Sequence, residues 1–156
     1  MATRVATEMV TVLFTDLVGS TALMARVGPE RAEALRVEHF ALLRASVDEH
    51  EGREAKNLGD GLMVVFGAVS RALDAGVAMQ QAFEARNRSA DEPMVVRIGL
   101  STGEADVADG DYFGPPVVEA ARLCAAAGDG EVLAADLVRM MAGGVVTGST
   151  QSGRWS

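Results

Sequence analysis

Two strand-length apolar runs, each abutting an aspartate, constrain this chain more than any other feature. Met9 to Thr15 (MVTVLFT) is β-branched and apolar and ends at Asp16, while Leu62 to Phe66 (LMVVF) follows Asp60-Gly61. Runs of that length and make-up predict strands. If the two strands are neighbours in one sheet, both carboxylates emerge at the same edge.

The segments between and beyond them alternate helix and strand. A turn, Asp16 to Thr21, opens into a short helix through Arg26, and Gly28-Pro29 starts a second helix running to about His50. Within it Val37, Phe40, Leu43 and Val47 recur at amphipathic spacing. Arg53 to Gly59 pairs in expectation with Leu62 to Phe66 across Asp60-Gly61, a two-residue hairpin signal. A helix over Val69 to Arg88 and a strand over Met94 to Ser101 come next. The Gly- and Asp-rich stretch Gly103 to Gly114 reads as a loop. Pro116 to Ala127 reads as a helix stopped by Gly128, followed by a strand at Glu131 to Ala134 and a helix through Met141. This order predicts one α+β domain over residues 1–142, with an antiparallel-rich, ferredoxin-like or palm-type sheet carrying helices on one face. The Gly-, Ser- and Thr-rich stretch 143–156 reads as a flexible or truncated tail.

Charge and composition remove several classes of function. A net charge of −8 with no basic run argues against long nucleic acids, and 4% aromatics argue against base-stacking platforms. A small nucleotide held through metals passes this filter. One cysteine, Cys124, rules out a disulfide framework. No stretch approaches the roughly 20 apolar residues that span a bilayer, and the N-terminus lacks a signal-peptide pattern. A cytoplasmic domain is expected.

Hard oxygen ligands such as Asp16 and Asp60 suit Mg²⁺ or Mn²⁺. The bland readings fit the same residues: Asp16 as a helix N-cap and Asp60 as a turn residue. Leu17-Val18-Gly19-Ser20-Thr21 can converge amides on an anion at a helix start, or Ser20 and Thr21 can simply cap it. His39 and His50 form no metal set, and Cys124 reads as a packed thiol.

Four blocks in sequence carry a resemblance. They are Phe14-Thr15-Asp16-Leu17-Val18-Gly19-Ser20-Thr21; Lys56-x-x-Gly59-Asp60-Gly61; Arg97-Ile98-Gly99-Leu100-x-x-Gly103; and Asp111-x-Phe113-Gly114-x-x-Val117-x-x-Ala120-Ala121-Arg122-Leu123. Together, in this order, they are similar to the class III adenylate and guanylate cyclases, so the fold implied is that family's catalytic homology domain. The resemblance implies that Asp16 and Asp60, with Leu17 beside them, hold two divalent cations, Mg²⁺ or Mn²⁺. It implies that Arg97 and residues Leu17 to Thr21 engage the phosphates, and that Arg122 meets charge on the transferring phosphoryl group. Lys56 and Asp111 match the pair that reads adenine: an ammonium can donate to ring N1, and a carboxylate can accept from the N6 amine. ATP is therefore the implied substrate and 3′,5′-cyclic AMP the product. The resemblance also implies a homodimer whose two shared sites each take Asp16, Asp60 and Arg97 from one subunit and Lys56, Asp111 and Arg122 from the other.

Two departures stand out. Val118 occupies the position of an asparagine that orients the ribose, with Glu119 beside it. The segment 143–156 lacks the lysine that the family places near the γ-phosphate. Alternatives to an adenylate cyclase are a guanylate cyclase, a catalytically weak or inactive nucleotide- or metal-binding regulatory domain, and a diguanylate cyclase, whose Gly-Gly-acidic turn is absent.

Overall fold

The structure is a computed structural model that describes residues 5–142 together with Arg154 and Trp155. The run Val10 to Leu13 is buried on both sides, and it sits in β1 (Ala6–Leu17), the second-longest strand of the sheet. Helices α1 (Ser20–Val27) and α2 (Pro29–Glu49) follow, broken at Gly28 as the Gly-Pro pair dictates. Strands β2 (Arg53–Asn57) and β3 (Leu62–Phe66) form an antiparallel pair, and α3 (Val69–Asn87) leads to β4 (Val96–Ala108). The order finishes with β5 (Asp111–Phe113), α4 (Pro115–Ala126), β6 (Val132–Ala134), α5 (Asp136–Met141) and β7 (Arg154–Trp155). The sheet order is β2-β3-β1-β4-β6-β7, with β5 paired to β4. Among the described strand pairs only β4 and β6 run parallel. The α+β, antiparallel-rich expectation therefore holds. The tail reading falls outside the described residues, except that Arg154–Trp155 pairs with β6.

Three expectations change. Helices cover both faces of the sheet, not one. Leu13, Leu17, Ile98 and Leu100 join a core with α2, α3 and α5, whereas Val10, Val12, Met63 and Tyr112 face the other way with Ala120 of α4. A run that is apolar at consecutive positions needs cover on both sides. The second change concerns Gly103 to Gly114, which is not a loop. β4 continues to Ala108 and turns back at Asp109-Gly110, whose φ values of 52° and 78° suit a two-residue hairpin turn. Third, Asp60-Gly61 is not such a turn: Asn57 pairs with Leu62, leaving the four residues 58–61 as the connection.

That longer connection runs along the end of β1. The Thr15 hydroxyl accepts from the amide of Leu62 at 2.9 Å, and the Asp60 carbonyl accepts from the amide of Leu17 at 2.9 Å. Contact is so close that a Cβ on Gly61 would lie 1.9 Å from the Thr15 carbonyl oxygen. Glycine is required there for approach rather than for a turn. The second such seat is Gly99, where a Cβ would lie 2.2 Å from the Cys124 amide nitrogen and 2.4 Å from the Ala120 carbonyl. Through it α4 rests directly on β4.

Candidate active site

Side chains alternate along a strand, so Asp16 shares the face of Val12 and Phe14, the α4 side. Opposite it in register stands Arg97 of β4. The Arg97 guanidinium pairs with the Asp16 carboxylate and also donates to the carbonyl of Ala125 in α4 at 3.2 Å. Asp60 arrives beside Asp16 through the 58–61 connection. Burial, then a hydrogen bond with Asp16 and repulsion from it, holds the Asp60 carboxyl above the usual carboxylate range.

Asp60 and Asp16 together form an all-oxygen set, and a hard divalent cation would relieve the crowding of charge that Asp60 meets there. The residues present fit such an ion, and Arg97 serves meanwhile as the counter-charge to Asp16. No group of three or more His, Cys, Asp or Glu side chains that could hold a metal occurs among the described residues. Main-chain, water or phosphate oxygens would complete the shell. Leu17, a buried apolar side chain, has only its main-chain oxygen to offer.

The amides of the Leu17 to Thr21 segment are not all available to an anion. Those of Leu17 and Val18 are engaged by the carbonyls of Asp60 and Val95, at 2.9 and 2.8 Å. Gly19 is the N-cap of α1, so Gly19, Ser20 and Thr21 supply the open end of that helix. Ser20, Thr21 and Asp60 line a cleft of about 430 Å³ with Leu17, Arg36 and His39. Hollows of about 490 and 520 Å³ lie elsewhere, and neither includes Asp16 or Asp60.

A second cluster forms on the α4 side. Lys56 of β2 and Asp111 of β5 meet at 3.0 Å, 55 residues apart in sequence, because the β4–β5 hairpin folds over toward β2. Tyr112, buried on that face, carries the guanidinium of Arg53 over its ring at 5.3 Å. Arg122 projects from α4, exposed, with no ion pair among the described residues. So Asp16, Asp60 and Arg97 form one group and Lys56 with Asp111 another, while Arg122 joins neither within the chain.

Val118 is 56% exposed, and Glu119 next to it accepts from the Ser101 hydroxyl at 2.7 Å. Cys124 is buried, as expected of a packed thiol, with its Sγ donating to the Arg97 carbonyl at 3.4 Å. Burial pushes that thiol up to about 12, so it is inert at neutral pH. His39 is 1% exposed and lies against Phe40 and Phe83, with ring centroids 4.7 and 5.9 Å away. Burial pushes it down to about 4, so it is neutral at pH 7. Sequence reasoning overlooked Arg36, which reads there as part of the solvated stripe of α2. No helix among the described residues is long and apolar enough to cross a membrane.

Comparison with known proteins bears on the whole domain. The family described as adenylate and guanylate cyclase catalytic domain matches residues 3–143. A Rhizobium meliloti (strain 1021) protein named "Putative adenylate cyclase 3" is 36% identical over 131 residues, covering 83% of this chain and 22% of that protein. Among solved structures, an adenylate/guanylate cyclase/hydrolase from Silicibacter pomeroyi superposes with TM-score 0.80 at 27% identity, over 93% of this chain and 86% of that one. The adenylyl cyclase CyaB from P. aeruginosa superposes with TM-score 0.81 at 24% identity, over 96% and 89%, a likeness of fold. The chain spans only 22% to 33% of the length of its first curated relatives.

Proposed function

This chain belongs to the adenylate and guanylate cyclase catalytic domain family, and from that premise we propose that it is an adenylate cyclase converting ATP into 3′,5′-cyclic AMP and pyrophosphate. The observation that carries the base preference is the Lys56–Asp111 pair at 3.0 Å. An ammonium donor beside a carboxylate acceptor complements the N1 and N6 edge of adenine. Guanine presents O6 as an acceptor and N1–H and N2–H as donors, which inverts that demand.

In the reaction the ribose 3′-oxygen forms a bond to the α-phosphorus. The bond from that phosphorus to the bridging oxygen breaks in line, and pyrophosphate departs with its electron pair. The hydroxyl proton passes to water or to a phosphate oxygen, since no side chain here is an obvious general base. Asp16 and Asp60 would hold two divalent cations, Mg²⁺ or Mn²⁺, with the Leu17 main-chain oxygen beside them. When bound, such ions lower the pKa of the attacking hydroxyl and neutralise phosphate charge. Arg122 meets charge developing on the α-phosphoryl group. The amides of Gly19 to Thr21 hold the leaving group. Arg97, the arginine that the resemblance assigns to the phosphates, is held here by Asp16 and would reach the phosphates where a divalent cation satisfies that carboxylate.

The separation of residues into two groups, with Arg122 outside both, supports a homodimer with two shared sites. Exposed Phe113 and Val118, on the α4 side, are apolar surface such a partner would cover. A cytoplasmic setting is part of the same reading. Val118 favours a second one, a weak or inactive regulatory domain, because an apolar side chain cannot hydrogen-bond a ribose hydroxyl.

One experiment separates these. ATP or GTP is supplied with Mn²⁺ to the protein and to Asp60→Ala, and cyclic nucleotide is quantified. Cyclic AMP from ATP in clear excess over cyclic GTP from GTP, lost in Asp60→Ala, is the expected result. Equal or greater turnover of GTP would make the base reading wrong, and no product from either nucleotide would leave the regulatory domain.

A further inference from the structure

We propose that Arg36 of α2 binds the polyphosphate end of the nucleotide, the part that leaves as pyrophosphate. This rests on the nucleotidyl cyclase reading above. Arg36 lines the cleft of about 430 Å³ together with Asp60, Gly59, Ser20, Thr21 and His39. It is the only permanent cation in that lining, because His39 is buried and neutral at pH 7. Arg97 does not fill the role in this arrangement, since Asp16 and the Ala125 carbonyl hold it.

The cleft therefore offers an anion two kinds of partner from two helices. The start of α1 presents the amides of Gly19 to Thr21 with the hydroxyls of Ser20 and Thr21, and α2 presents a guanidinium. A guanidinium is a planar fork of donors that matches two phosphate oxygens at once. The present partner of Arg36 is Glu33, one turn earlier on α2, at 2.5 Å and with side chains 45% and 66% exposed. An exposed i,i+3 pair is weak, so a charged phosphate exchanges for it readily.

The test uses the full chain with Mn²⁺ and inorganic pyrophosphate as the probe, followed by calorimetric titration, and steady-state kinetics with ATP. Arg36→Gln is expected to weaken pyrophosphate binding about tenfold, the loss of one charge-assisted contact. KM for ATP rises by a similar factor with kcat within about twofold. Arg36→Lys recovers part of the affinity, restoring the charge without the fork, and the Tm of both variants stays within about 2 °C of the parent. Unchanged pyrophosphate affinity in Arg36→Gln overturns the proposal. So does a loss that lysine fails to restore and that follows a fall in Tm. A parent protein that takes up pyrophosphate but turns over neither nucleotide refutes the cyclase reading while Arg36 is still read by the titration. A parent that cyclises ATP yet binds no pyrophosphate refutes the Arg36 assignment alone.

Discussion

On one side of the sheet α2, α3 and α5 close over Leu13, Leu35, Leu43, Met79, Phe83 and Leu100, all at most 2% exposed. On the other, α4 and the β4–β5 hairpin cover a much smaller set around Val10, Val12, Met63 and Tyr112. Asp16, Arg97, Lys56, Asp111 and Arg122 stand on or around that thinner side. The difference shows a division of labour. The thick side supplies the apolar burial that holds the fold, which lets the thin side keep charges part-exposed at little cost in stability. A site for a charged nucleotide, as proposed for this side, cannot also be a deep core.

The sharpest way to break this division is to ask whether the thin side is complete in one chain. Asp16→Ala and Arg122→Ala should each lower cyclase activity about a thousandfold or more. Equal mixing gives half heterodimers, each with one intact site, so about a quarter of parental activity returns. Heterodimers that demonstrably form and stay inactive would place the whole site within one subunit.

Next in size is a matched pair of truncations. Leu100→Ala on the thick side should cost about 3–5 kcal/mol, lowering Tm by roughly 6–20 °C, with the ATP-to-GTP preference unchanged. Asp111→Ala on the thin side should move Tm by no more than about 2 °C, an exposed ion pair being worth so little, while eroding that preference. Equal losses of Tm in both variants would erase the distinction between the faces.

The smallest test sets the two sides against each other through pH. His39 lies in the thick side with its pKa lowered from 6.5 to about 4. The unfolded chain binds that proton more readily, so stability is full above pH 6.5 and is lost as pH falls toward 4, by roughly 3 kcal/mol. Asp60 has the opposite sign. Its raised pKa means the folded chain holds the proton more tightly, so the metal-free protein loses stability as pH rises from 3.8 through the raised value. Urea melts across pH 4–7 should show the first slope flattened in His39→Leu. The shallower second one should disappear in Asp60→Asn. A His39→Leu protein with the parental slope would assign the acid sensitivity elsewhere.

Much of this was legible in the chain because it depends on local signals. Strand-length β-branched runs, the Gly28-Pro29 break and the four motif blocks put elements and candidate residues in order. What was misread is what depends on long-range packing. Asp-Gly occurs at 60–61, 109–110 and 129–130, and only sheet register decides that the one at 109–110 is the two-residue turn. The cover of both faces was available in principle from the unbroken apolar run of β1. The pairing of Asp16 with Arg97, 81 residues apart, was not. Neither was the place of Arg36 beside Ser20, Thr21 and Asp60, since an arginine on a helix stripe looks the same in sequence whatever it lies beside.

The seat of α4 on Gly99 has an evolutionary consequence. With 2.2 Å between a would-be Cβ and the Cys124 amide nitrogen, no side-chain substitution can be accommodated without lifting the helix that bears Arg122. Lys56 and Asp111, by contrast, are part-exposed tips on β2 and β5, and replacing them displaces no helix, although it costs the Asp111 carboxylate its bond from the Tyr112 amide at 2.8 Å. On the reading proposed above, nucleotide preference can thereby change among descendants of this domain, whereas the placement of Arg122 is inherited whole or lost.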